Sequence, residues 1–252
     1  MTKIIAIANQ KGGVGKTTTA INLATAMAAI HKKVLLTDAD PQGNASTGLG
    51  ILEKNRLPSL YELLTNSLFD SASIKKTLIP NLDIITSTKN LAASEIELVD
   101  VVDRENALKS ILTKIKGYDY IFIDCPPALG LLTINSLVAA DSVIVPLQCE
   151  FFALEGLSAL TNTIETIKSG LNSSLKLEGV VLTMYDSRNT LSSLVEQDVR
   201  NHFKDKVYKT VIPRNVRVSE APSHGKPVLV YDTACVGSQA YIGLAKEVIF
   251  NQ

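Results

Sequence analysis

The sequence predicts an α/β fold, a doubly wound, mostly parallel sheet with helices on both faces. Two observations carry this. Short apolar runs without polar alternation recur along the chain, as strands buried on both faces require. Helix-period segments separate them, and 46% of the 252 residues are apolar, enough for a core on each side of a sheet. No internal repeat, low-complexity run or compositional break marks a linker, so 1–252 is read as a single domain.

The β-branched run Lys3–Ala8 is the first predicted strand, and it feeds a glycine loop that opens a helix over Lys16–Ile30. The apolar runs Lys33–Asp38 and Leu82–Thr86 give the next two strands, followed by a helical segment at Arg104–Lys116. Strand Tyr120–Asp124, helix Leu131–Ala139, strand Ser142–Leu147 and helix Leu154–Ser169 repeat the alternation. Strand Leu177–Tyr185, helix Leu191–Phe203, strand Lys209–Ile212 and helix Ser238–Phe250 complete it. In such sheets connections are right-handed and ligands sit at the carboxyl ends of the strands.

Bulk properties narrow the partners. Lys plus Arg (25) balances Asp plus Glu (25), so no global field attracts nucleic acid and any DNA contact needs a local patch. Cys125, Cys149 and Cys235 are an odd number with no CxxC pair, which reads as reduced thiols of a cytoplasmic protein. The apolar stretch before the glycine loop is too short for a signal peptide or a membrane span, so no membrane contact is expected.

The chemistry concentrates after the first strand, in Lys11-Gly12-Gly13-Val14-Gly15-Lys16-Thr17. Glycines there let backbone N–H groups converge on phosphate oxygens, and the helix N-terminus adds partial positive charge. Lys16 is placed to reach the β- and γ-phosphates of ATP, and the Thr17 hydroxyl to ligate Mg²⁺. The loop departs from the ordinary phosphate-loop pattern, with Gln10 where glycine is usual and a second lysine, Lys11, five residues before Lys16. Lys11 is either a surface charge or a source of transition-state charge, deliverable to a neighbouring subunit as an arginine finger is.

Two strands end in acids. Val34–Thr37 runs into Asp38-Ala39-Asp40-Pro41-Gln42-Gly43-Asn44, where a carboxylate can orient the attacking water. Tyr120–Ile123 runs into Asp124-Cys125-Pro126-Pro127, where Asp124 would hold Mg²⁺ directly or through water.

At these residues the chain resembles the ParA/MinD family of deviant-Walker ATPases, and within it the Soj group. The resemblance spans KGGVGKTTT at 11–19, DADPQGN at 38–44, FIDCPP at 122–127 and LGLLTIN at 129–135. It continues in QCEFFALEGL at 148–157 and IPRNVRVSEAPSHGKP at 212–227. It implies a homodimer closed over ATP, with Lys11 crossing to the partner's phosphates, and a catalytic set of Lys11, Lys16 and Asp40. Asp40 would position the hydrolytic water and count with Thr17 and Asp124 around the metal, with Asp38 supporting. Gly12, Gly13, Val14, Gly15 and Thr18 would line the phosphates, Glu150 would reach the opposing ribose, and Pro213, Arg214 and Asn215 would pack on adenine or merely end an edge strand.

From Arg188 to Lys226 the chain carries eight basic and four acidic residues, room for a basic face that binds double-stranded DNA without reading sequence. The resemblance singles out Arg188 and Arg217 as DNA contacts, a solvated helix face being the plainer reading. It also implies a nucleoid-associated protein whose hydrolysis is stimulated by a ParB/Spo0J-like partner. Where partition relatives usually carry arginines, Thr233, Ala234, Cys235 and Val236 are uncharged, a departure that weakens the expected DNA contact. A MinD-like membrane-associated ATPase is the alternative, but the tail from Ile242 reads as a packed helix rather than a lysine-rich amphipathic one.

Overall fold

The computed structural model describes residues 2–66 and 69–250. Among them, β1 (Lys3–Ile7), β2 (Val34–Asp38), β3 (Ile74–Lys76), β4 (Leu82–Ile85), β5 (Tyr120–Asp124), β6 (Ser142–Gln148) and β7 (Lys176–Thr183) form one sheet in the order β3-β4-β2-β5-β1-β6-β7. Every neighbouring pair is parallel except β3–β4. The chain leaves β1 toward β2 on one side, then passes from β5 across β1 to β6 on the other. The strand order therefore reverses beside β1, where open α/β sheets hold ligands at their carboxyl edge.

Alternate residues of each strand feed two cores. Ile5, Ile7, Phe122 and Ile144 pack with Leu23 and Met27 of α1 (Lys16–Ala29) and with Tyr241 and Leu244 of the C-terminal helix Val236–Phe250. Ala6, Ile121, Ile123 and Val145 face Leu108 and Ile111 of helix Ala107–Leu112, Leu137 of helix Leu131–Ala139, and Leu160 of helix Ala153–Gly170. Each such fully buried aliphatic side chain stabilises the fold by about 1.5–3 kcal/mol. Helix α1 is buried on nearly its whole circumference between the sheet and the C-terminal helix, which fixes the glycine loop that precedes it.

Two expectations need correction. Residues 209–212 form no strand. The Tyr208 and Ile212 N–H groups donate to β7 carbonyls at 2.9 and 2.8 Å, but those of Lys209 and Thr210 donate to the Glu247 carboxylate at 2.7 Å each. A side chain thus takes the donor that a ladder needs at Thr210, leaving isolated bridges at Val207 and Pro213. The predicted helix Arg104–Lys116 is a 3-10 turn at Arg104–Asn106 followed by a six-residue helix. Short elements also lie where no periodic pattern stood out, among them edge strand β3 and helices Asn44–Gly48, Leu60–Asn66, Leu91–Glu97, Val216–Glu220 and Val228–Tyr231.

Candidate nucleotide site

Strands β1, β2 and β5 deliver the predicted groups to one place. Asp38 and Asp124 are register partners on β2 and β5, and Asp124 also pairs with Ile7 at the end of β1. Beyond Ile7 the loop is clamped at both ends. Asn9 donates Nδ2–H to the Pro146 carbonyl at 2.7 Å and accepts the Lys11 N–H at 3.0 Å. The Val14 carbonyl accepts from the Thr183 hydroxyl at 2.8 Å. Gly13 and Gly15 have φ of +76° and +87°, left-handed values that a side chain would strain, so the loop's turns require glycine.

Lys16 lies beneath this loop, 7% exposed, and donates to the Lys11 carbonyl at 3.0 Å. Burial lowers its pKa, against the raising pull of Asp124, Cys125 and Asp40. Asp38 is fully buried, and burial pushes its carboxyl up to about 6 despite donors from the Ser46 N–H at 2.8 Å and hydroxyl at 2.7 Å. Those bonds make Asp38 the anchor of helix Asn44–Gly48. Asp40, two residues on, accepts the Gln42 N–H at 2.9 Å and faces a cavity.

Asp124 is the unusual group. It is fully buried, and burial raises its pKa well above the ordinary carboxylate range, the Asp38 charge adding to this. The nearby Thr17 hydroxyl favours its charged form, yet neither oxygen has a hydrogen-bond partner of good geometry. A buried carboxylate with no partner is costly, and a divalent cation between Asp124 and Thr17 would satisfy it. Oxygen donors of this kind suit magnesium, which keeps water and phosphate oxygens as its other ligands.

Two hollows meet over the loop. One, of about 370 Å³, is lined by Gly12, Gly13, Lys16, Thr17, Asp40 and Pro127. The other, of about 110 Å³, lies against Pro213, Arg214, Asn215 and Tyr241. Gly15, Thr18 and Met184 line both, so the compartments adjoin. A hollow of about 390 Å³ lined by Lys33, Lys76 and Lys116 lies away from these strand ends and their acids. The 213–215 segment also ends a bridge, since the Arg214 N–H donates to the Tyr185 carbonyl at 3.0 Å. The segment thus lines a hollow beside the phosphate loop and is tied to Tyr185 by an isolated bridge rather than by a strand.

Lys11 is outside the cradle. Its ammonium pairs with Glu150 of the same chain, and both side chains are more than two-fifths exposed. Arg188 and Arg217 lie on the surface, each held by its own carboxylates. Arg188 grips Asp186 with two bonds of 2.9 and 2.8 Å, while Arg217 meets Glu220 at 3.1 Å and Asp232 at 3.6 Å. Gln42, Asn44, Pro127 and Met184, to which the sequence assigns no role, also line the larger hollow. The first three stand inside quoted motifs, but Met184 carried no signal and is placed by a positive φ of 50° just past β7.

Cys125 and Cys149 are buried thiols, and burial pushes their pKa values up to about 12 and about 11. The C-terminal helix buries Tyr241, Leu244, Ala245 and Val248, which fits a packed helix. No helix among the described residues is long and apolar enough to cross a membrane.

A family model described as an AAA domain matches residues 2–177. The chromosome partitioning protein ParA of Caulobacter vibrioides is 58% identical over 98% of this chain and 94% of its own length. The sporulation initiation inhibitor protein Soj of Bacillus subtilis is 56% identical over the whole of both chains. Among solved structures, cobyrinic acid a,c-diamide synthase of Mycobacterium smegmatis with bound ADP and magnesium superposes with a TM-score of 0.86 at 37% identity, covering 99% of this chain and 94% of that one. Fold, phosphate loop and full-length similarity agree: the chain belongs to the ParA/Soj family of chromosome-partitioning proteins.

Proposed function

We propose that this chain is a DNA-partitioning ATPase in which Mg-ATP closes a two-fold dimer that binds DNA without regard to sequence, and in which hydrolysis, quickened by a ParB-like protein, releases it. The observation that carries the reading is the separation of the two loop lysines. Lys16 is buried under the loop with Asp124 and Asp40 around it, committed to phosphates bound in its own chain. Lys11, five residues earlier, stands at the rim on an exposed ion pair, from which a second protomer can draw it at little cost.

Within one protomer, loop N–H groups and Lys16 bind the β- and γ-phosphates, and Thr18 and the 213–215 segment line the nucleotide's remaining length. Thr17 and Asp124 hold Mg²⁺, which supplies charge neutralisation on the phosphate oxygens. Asp40, with one oxygen occupied by the Gln42 N–H, keeps the other for the attacking water. Asp38 positions this loop through Ser46 and needs no part in the chemistry.

The test is size-exclusion chromatography of Asp40→Ala with ATP, ADP or no nucleotide, with and without a non-specific duplex. A dimer with Mg-ATP, and co-elution with DNA only then, is expected. A monomer under every condition, or equal DNA binding with ADP and ATP, would overturn the switch.

A further inference from the structure

Away from the nucleotide, between helix Leu91–Glu97 and helix Ala107–Leu112, the surface is unusually apolar. Ile96, Val99, Val101 and Val102 are all exposed within seven residues, Ile96 by 77% and Val102 by 93%. Single exposed aliphatics are ordinary, but a contiguous group is not. Beside them opens a hollow of about 160 Å³, whose apolar lining includes Leu64, Leu98, Val101, Val102, Ala107 and Ile111. Leu98 and Ile111 belong to the core, so the floor is rigid.

Carboxylates surround this patch. Glu97 accepts from the Tyr61 hydroxyl, Asp103 accepts from the Asn106 amide, and Asp100 is exposed. Among the described residues no ion pair joins any of the three to a cation. The nearest basic group in sequence, Arg104, is spent on Glu105 and on the Val99 carbonyl.

We infer that this patch docks a cationic amphipathic segment of a partner protein, one large aliphatic side chain filling the hollow and lysines or arginines meeting Glu97, Asp100 and Asp103. DNA or an anionic membrane would be repelled by the same carboxylates. A second copy, joined two-fold through this patch, would bring like carboxylates together. The location also suits a regulator. Glu95, on the same helix, accepts the Leu132 N–H at 3.3 Å, at the start of the helix that follows Asp124 and Pro127. An occupant thus sits one side chain from the loop that leaves the magnesium-binding strand. The inference builds on the partner-stimulated ATPase proposed above.

The probe is a fluorescent synthetic helix of lysine and leucine, with leucines at i, i+3, i+4 and i+7. Glutamine/leucine and glutamate/leucine versions serve as controls, and anisotropy reads the binding. The double variant Asp100→Lys/Val102→Lys, both positions exposed, is expected to weaken the lysine peptide about tenfold or more, with basal ATP turnover and ATP-dependent dimerisation unchanged. The milder pair Asp100→Asn/Asp103→Asn is expected to weaken it several-fold without perturbing the fold. Equal affinity in wild type and both variants, or equal binding of the glutamine peptide, would overturn the site. Loss of ATP-dependent dimerisation in the double variant would overturn it in favour of a contact between copies. If wild-type protein turns over no ATP while peptide affinity still follows these substitutions, the ATPase reading fails and the docking site stands.

Discussion

The phosphate cradle and the basic span from Arg188 to Lys226 are both charged, and they differ in how those charges are held. In the cradle Lys16, Asp38 and Asp124 are buried at strand and helix ends, and Asp124 has both oxygens unpaired. In the basic span Arg188 and Arg217 point to water and are already satisfied by Asp186, Glu220 and Asp232. The first region has been desolvated in advance, which is what makes a site strong. The second must break exposed ion pairs, worth about 0–1 kcal/mol each, before it can hold anything else. In the proposed DNA-bound dimer its strength would therefore have to come from number, two patches on one body, and not from preorganisation.

The sharpest way to break this contrast is inside the cradle. Removing Lys16 takes a buried ammonium away from the phosphates and from Asp124 and Asp40, and truncating one member of such a buried set costs about 2–5 kcal/mol. Lys16→Ala is expected to weaken ATP by about a hundredfold or more, measured by titration calorimetry. Asp40→Ala should bind ATP normally and lose about 10²–10⁴-fold in turnover, the usual yield of a group that handles the attacking nucleophile's proton or position. Parental turnover in that variant would transfer the role to Asp38, against its bonds to Ser46.

Lys11 tests the boundary between the two kinds of region. Because its only ion-pair partner among the described residues is Glu150 in the same chain, Lys11→Ala is expected to leave ATP affinity within about twofold, as loss of an exposed pair should. ATP-dependent dimerisation should disappear, as sedimentation velocity would show. A dimer that persists would reduce Lys11 to a surface charge.

The same contrast explains what the sequence made legible. Buried strands announce themselves through Ile-Ile-Ala-Ile and Tyr-Ile-Phe-Ile, and the cradle through glycines that its positive φ values demand. Nothing comparable marks an edge. Lys209 and Thr210 lose their ladder to Glu247, thirty-seven or more residues away, a competition no local pattern contains. Strand β3 is three residues long and pairs antiparallel at the sheet margin. Arg188 and Arg217 could be picked out as cations, but their partners Asp186 and Asp232 are fixed by loop geometry, so their prior engagement could not be read from charge counting.

On the exposed side effects should be smaller and graded. If Arg188 and Arg217 each neutralise one phosphate per protomer, Arg188→Ala and Arg217→Ala each remove two contacts from the DNA-bound dimer and should lower the slope of log affinity against log salt by about 2. Fluorescence anisotropy on a non-specific duplex across a salt series reads this, with dimerisation unchanged. An unchanged slope in the double variant would move the contact elsewhere, and Lys204, Lys206 and Lys209 are the first candidates, being exposed and in no ion pair among the described residues.

The smallest expected effect is also the most direct reading of Arg188's engagement. Hydrogen bonds from the Arg188 side chain, foremost, and its backbone hold the Asp186 carboxyl down at about 2, below its usual 3.8. A carboxyl depressed in the folded state binds its proton less readily than in the unfolded chain. Its contribution to stability is present above the usual carboxylate range and fades as pH falls through about 2. Because Asp186 and Arg188 are both solvent-exposed groups, the effect on acid unfolding should be slight, and the titration itself is the better observable. In Arg188→Ala the Asp186 midpoint, followed by carboxyl NMR, should climb from about 2 toward 3.8. Arg214, a lesser contributor to the depression, remains in place and should keep the midpoint from returning fully. A midpoint that stays near its parental value would mean that Arg188 is not held by Asp186. The arginine would then be free to meet phosphate in the monomer, and the difference drawn between the two regions would collapse at that residue.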